Sequence, residues 1–217
     1  MRRRGILLLA LVSVLVATQF LIRAQASGGP ILLIVNRSAP NPFGRYLAEI
    51  LRAEGINSFT TVELSTVDSI SLNGVGLVVL AETPLTADQA ALLTGYVATG
   101  GRLVAMRPDA QLGPVLGTAH LGSTDGDHYV SINVGTSVGY GFPPLTLPIY
   151  GQSTRLGLVP GALTHATLYA SRETSSNYPA VVQYRRTATW AYDLARSVVY
   201  ARQGNPANAG VERDNLP

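Results

Sequence analysis

Residues 74–109 constrain the fold more than any other stretch, because they read as a buried strand, a capped helix, a glycine pair and a second buried strand. Gly74-Val75-Gly76-Leu77-Val78-Val79-Leu80-Ala81 is apolar and β-branched without polar alternation, the pattern of a strand covered on both faces. Thr86-Ala87-Asp88-Gln89 then opens a helix, with Thr as N-cap and a Gln three residues on that can reach back as a capping box. Ala90, Ala91, Leu92, Leu93 and Val97 give the helix a broad inner face; Gly100-Gly101 ends it, and residues 102–106 return as a strand. Strand, crossover helix and parallel strand make a βαβ unit whose handedness is almost fixed.

The same alternation runs upstream. Ile31-Leu32-Leu33-Ile34-Val35 is an unbroken apolar strand, and Asn41-Pro42 offers a cap and a proline at the first helical position. Phe43, Tyr46, Leu47, Ile50 and Leu51 then fall on one helical face, Gly55 ends the helix, and residues 58–62 form a second strand. The expected fold class is therefore α/β, a flavodoxin-like doubly wound parallel sheet of order 2-1-3-4 over residues 30–117. Beyond residue 117 the pattern changes to short runs punctuated by Gly, Pro, Ser and Thr, at 129–134, 145–150, 166–170, 180–184 and 187–192. These predict a β-rich C-terminal extension over 118–202, either continuing the sheet or standing as a small lobe beside it. Residues 193–200 close the fold as a last turn or helix, and 203–217, with almost no apolar content, are expected to be a mobile tail.

Of the 217 residues, 47% are hydrophobic, enough for a sizeable core. The formal charge of +3 would point to an anionic partner only if it were spread over the body of the chain. It is not: Arg2, Arg3, Arg4 and Arg23 lie in the first 26 residues, and the remainder carries a net charge of −1. With no Arg stripe interleaved with aromatics, no nucleic-acid partner is expected. Residues 1–26 instead have the parts of a signal peptide: the Arg cluster, an apolar run over 6–22 and Ala24-Gln25-Ala26 before Ser27. Cleavage after Ala26 and a secreted, periplasmic or cell-surface location are expected. The alternative is an uncleaved anchor, since the run reaches the lower limit of about 17 residues for a membrane span, although Ser13, Thr18 and Gln19 dilute it. A membrane partner is expected only through that segment. The absence of cysteine excludes disulfides, thiolate metal sites and a Cys nucleophile.

Ligands of open parallel sheets bind beyond the carboxyl ends of the strands, where the strand order reverses. Asn36, Arg37 and Asn41 follow the first strand, Glu82 the third, and Arg107 and Asp109 the fourth, so these side chains are expected to converge. Glu82 and Arg107 are the candidate catalytic pair, an acid/base beside an oxyanion binder, or equally a structural ion pair closing the edge. Asn36, Arg37, Asn41 and Asp109 are the candidate ligand-binding residues. Asp125-Gly126-Asp127-His128 matches no calcium loop and reads as a solvated turn, so no metal site is assigned. His120 and His165 read as surface or loop residues. No Gly-x-Ser-x-Gly elbow occurs, and the Gly-rich residues 135–141 run into Phe142-Pro143-Pro144 instead of a helix, which excludes a phosphate or dinucleotide loop. No cofactor is expected. Tyr129, Tyr140, Tyr150, Tyr169, Tyr178, Tyr184 and Tyr192 in the second half offer either core packing or a sugar-binding platform.

The apolar strand, the Thr-x-Asp-Gln helix start, the Leu-x-x-Tyr-Val-x-x-Gly-Gly end and the Arg-Leu-Val-Ala return resemble the class I glutamine amidotransferase-like superfamily, and within it the trehalose-utilisation-type and related extracellular branches. The resemblance covers residues 30–117 best and implies a fold more than a chemistry. Family amidotransferases carry a Cys nucleophile on a sharp turn after a central strand, and trehalose-utilisation-type members tend to place a His after this strand. Here Met106-Arg107 occupies the place. The expectation is an exported, non-catalytic amidotransferase-like domain serving as a binding or structural module of the cell envelope, with a carbohydrate or protein as partner. The alternative is an envelope hydrolase acting on a carbohydrate or amide, with Glu82 as acid/base.

Overall fold

A computed structural model of the chain describes residues 31–126 and 128–206. The expected signal peptide, Pro30 and the end of the expected tail lie outside the described residues. Strand β1 (Ile31–Val35) leads through a 3-10 turn (Phe43–Tyr46) into helix α1 (Leu47–Ala53), followed by β2 (Phe59–Glu63) and β3 (Leu77–Leu80). Helix α2 (Ala87–Ala98) and β4 (Arg102–Met106) complete the expected βαβ unit. The capping box forms as read: Thr86 Oγ1 accepts from Gln89 N–H and Gln89 Oε1 from Thr86 N–H.

β1 pairs in parallel with both β2 and β3, and β3 with β4, so the order 2-1-3-4 is present. It forms one end of a larger mixed sheet. After the short helix α3 (Gly113–Leu116) come β5 (Thr118–Ser123), β6 (His128–Ile132), β7 (Thr146–Ile149), β8 (Thr154–Leu158), β9 (Leu163–Tyr169), β10 (Ser175–Tyr184) and β11 (Thr187–Trp190). The sheet runs β2-β1-β3-β4-β11-β10-β9-β6-β7, nine strands, with β5 and β8 forming a separate pair. Thus β4 is not an edge: β11 lies parallel to it, with Thr189 opposite Ala105 and Trp190 opposite Met106. Most of the β-rich extension continues the sheet, and only the β5–β8 pair stands beside it.

Alternation along the strands feeds two faces. Leu32, Ile34, Val78, Leu80, Leu103 and Ala105 pack with Leu93 and Tyr96 of α2, whereas Leu33, Val35, Val79, Ala81 and Met106 meet Leu47 and Ala48 of α1. That second face also receives Ala195 from helix α4 (Leu194–Gln203), which covers the sheet after β11.

Three expectations are corrected. Asn41 does not start an α-helix directly: its Oδ1 accepts from Phe43 N–H, and a 3-10 turn intervenes before α1, with Gly44 packed so close to Ala81 that a Cβ there would lie 2.8 Å away. His165 is buried on β9, with Nε2 2.9 Å from Gln183 Oε1. The closing segment expected over 193–200 is a longer helix, α4, which continues through Gln203 before Gly204 turns the chain with φ +84°. No helix among the described residues is long and apolar enough to cross a membrane.

Candidate functional site

The carboxyl ends of β3 and β4 bring Glu82 and Arg107 together as the sheet order requires, with Arg107 Nη1 2.7 Å from Glu82 Oε1. Both side chains are largely covered, 15% exposed for Glu82 and 21% for Arg107. Arg107 leaves β4 with φ +35°, a conformation costly for a residue with a Cβ and maintained here by its surroundings. Its N–H donates to Trp190 O at 2.8 Å, extending the β4–β11 ladder by one bond while the chain turns out of the sheet toward Pro108. The guanidinium also donates from Nη2 to Gln152 Oε1 at 3.3 Å, and Nε is buried without a partner.

Burial pushes the Glu82 carboxyl above its ordinary pKa; the Arg107 charge opposes that shift, the Asp193 charge adds to it, and Arg196 opposes it again. Asp193 is therefore a second carboxylate close to the pair. It caps α4 by accepting from Arg196 N–H, and its other oxygen accepts from Asn41 Nδ2 at 2.7 Å. An Asp ahead of a helical segment is a readable N-cap signal, but nothing local in the sequence places it beside Glu82. Gln152, on the β7–β8 connection, leaves no such signal.

The other expected site residues divide. Asn41, Glu82, Arg107 and Asp109 line one cavity of about 410 Å³, together with Thr83, His120 and Thr154. Asp109 is engaged structurally: burial works to raise its pKa, but N–H donors from Gln111 and Leu85 outweigh burial and hold it below the ordinary carboxylate value. Asn36 points to Thr83 Oγ1 at 3.0 Å, and Arg37 turns toward β2 to pair with Glu63 at 3.3 Å. Those two line a separate hollow with Ser65 and Gln89, so full convergence does not occur. The reason is local, because Glu63 at the end of β2 captures Arg37 through both its backbone N–H and its guanidinium. His128 Nδ1 lies 2.6 Å from Gly126 O, and Asp127 lies outside the described residues. No group of three or more His, Cys, Asp or Glu that could hold a metal occurs among the described residues.

Sheet order and crevice together define an α/β domain that carries Arg107 on the turn after β4. Solved structures share this fold. A ThuA-like protein from Bacteroides uniformis superposes with a TM-score of 0.60 at 13% identity, over 77% of this chain and 84% of that one. An exo-β-1,4-mannosidase from Opitutaceae bacterium strain TAV5 gives 0.57 at 16% identity, over 82% of this chain, which spans only 34% of the mannosidase. A cytoplasmic protein from Salmonella typhimurium LT2 gives 0.56 at 15% identity, over 75% of this chain and 87% of that protein. No protein-family model and no curated protein sequence matches the chain. At these identities the likeness concerns the fold alone.

Proposed function

We propose that this chain is an exported amidotransferase-like domain of the trehalose-utilisation type that binds a ligand at the carboxyl edge of its sheet without transforming it. Arg107 is the observation that carries this reading. The turn on which the family holds its nucleophile bears a guanidinium with no nucleophilic capacity, and that guanidinium engages Glu82, the nearest acid. The ThuA-like and mannosidase neighbours make carbohydrate the first ligand class to try, with a protein partner second.

A thermal-shift screen of sugars, amides and divalent metals tests the reading, since a ligand specific to the folded state raises apparent stability. A sugar that raises Tm in the wild type and not in Arg107→Gln supports it. A flat response across the panel counts against it.

One observation favours the hydrolase alternative: Asp193 supplies a second carboxylate near Glu82, whose raised pKa suits a general acid. Turnover of a glycoside or amide, lost in Glu82→Gln, would establish it. Export rests on Arg2, Arg3 and Arg4, the apolar run and Ala24-Gln25-Ala26. N-terminal sequencing of protein from the producing cell is expected to begin at Ser27, whereas Met1 in a membrane fraction would establish an anchor.

A further inference from the structure

We propose that the connection between β6 and β7, residues 133–145, seats the domain on an anionic lipid surface. Residues 129–154 contain no Asp, Glu, Arg, Lys or His. Among the described residues, eleven large hydrophobics are exposed, and six of them fall between Val134 and Leu147. Tyr140 is 86% exposed, Leu145 62% and Phe142 52%, a concentration of apolar surface that ordinary soluble surfaces do not carry without a partner.

Strand sense locates the loop. β6 runs antiparallel to β9, β9 to β10 and β10 to β11, and β11 is parallel to β4, so β6 runs against β4 and its parallel neighbours. The loop thus leaves the sheet toward the side where the parallel strands begin, away from the Glu82–Arg107 crevice. Exposed arginines stand on that side: Arg102 opens β4, and Arg185 and Arg186 form the turn from β10 to β11. Leu163, itself exposed, begins β9 there and pairs with Gln183, two residues before Arg185. Of the carboxylates near this end, Glu54 is paired with Arg202 and Asp68 accepts from Ser71 N–H within its own loop, while exposed Glu173 follows Arg172, whose carbonyl accepts from Thr146 Oγ1 where the loop enters β7.

An uncharged loop of aromatic, aliphatic, Gly and Pro residues with the small polar Asn133, Thr136 and Ser137, at the same end of the sheet as these guanidiniums, suits a bilayer interface: apolar side chains enter the acyl boundary while the arginines meet anionic headgroups. A protein partner in place of lipid would leave the vesicle binding tested below absent. The apolar run of the N-terminal segment ends at Ile22, and β1 begins nine residues later on this same side. If that segment is retained in a membrane, fully extended chain allows a separation of at most roughly 30 Å.

The test uses the chain from Ser27 onward, which holds every described element, in co-sedimentation with phosphatidylcholine vesicles with and without phosphatidylglycerol. The expected result is binding to the anionic vesicles that weakens as salt is raised. The double variant Tyr140→Ser/Phe142→Ser is expected to bind about tenfold more weakly or less, with Tm unchanged. Because the chain has no cysteine, Tyr140→Cys labelled with a polarity-sensitive dye reports the loop alone, and its emission is expected to shift to the blue on vesicles. An absence of vesicle binding, an unshifted dye, or binding that survives the double variant would overturn the proposal. So would concentration-dependent self-association abolished by that variant, which would make the loop an interface between copies.

Discussion

Arg107 Nη1 lies 2.7 Å from Glu82 Oε1, tying the strained turn after β4 to the end of β3. The two partners are not equivalent. Removing the charge of Glu82 leaves Arg107 with Gln152 and some water, whereas removing Arg107 leaves a covered carboxylate facing Asp193. Glu82→Gln is therefore expected to cost at most about 1 kcal/mol, and Arg107→Gln roughly 2 kcal/mol, after allowance for the pair's partial exposure. Urea unfolding of the two variants checks this; equal costs would mean that burial of Glu82 is not the controlling factor.

The pKa of Glu82 gives the sign of a pH effect. Burial raises it above the ordinary 4.5, so the folded protein holds that proton more tightly than the unfolded chain. Its contribution to stability is then fully present below about 4.5 and is lost as pH rises through the raised value. The difference in Tm between wild type and Glu82→Gln is expected to move in favour of the variant from acid to neutral pH. A difference that moves the opposite way would place the Arg107 attraction above desolvation.

Gly117 ends α3 with φ +69°, and a Cβ there would meet the Tyr184 ring at 2.3 Å. Gly117→Ala combines backbone strain with overpacking and is expected to cost about 2 kcal/mol or more, read as a lower urea midpoint. Gly74, with φ +76° and open space around it, is the control that isolates the backbone term. Similar losses at both positions would show that the Tyr184 contact has relaxed.

Thr86→Ala removes one half of the capping box on α2, and a loss of about 1 kcal/mol is expected in the same assay. No loss would mean that the first turn of α2 is held by Leu85 N–H, which donates to Asp109 Oδ2, and not by its cap.

Local signals carried much of this structure. The apolar runs at 31–35 and 77–80 and the Thr86 box are governed by neighbours in sequence, and the crossover rule places their strands beside one another. The Glu82–Arg107 pair follows from that placement. What the sequence hides is set by distant partners. β11 reaches β4 from the far end of the chain, so neither the position of Asp193 beside Glu82 nor the contact of Gln152 with Arg107 has a local signature. The engagements of Arg37 and Asp109 are hidden for a related reason: each stands at a strand end, and Glu63 takes the first while the N–H groups of Leu85 and Gln111 take the second. His165 looked like a loop residue because the bulged β9–β10 pairing that buries it weakens the alternation of both strands.

The most direct test of non-catalytic binding in the Arg107 crevice takes a sugar that raises Tm in the screen and measures its calorimetric affinity for wild type and Glu82→Gln. The mass of the ligand is then determined after prolonged incubation with each protein. The account predicts that both proteins bind it and that both return it intact. Cleavage by the wild type, with intact ligand recovered from Glu82→Gln, would contradict the account and make Glu82 the acid/base of a hydrolase.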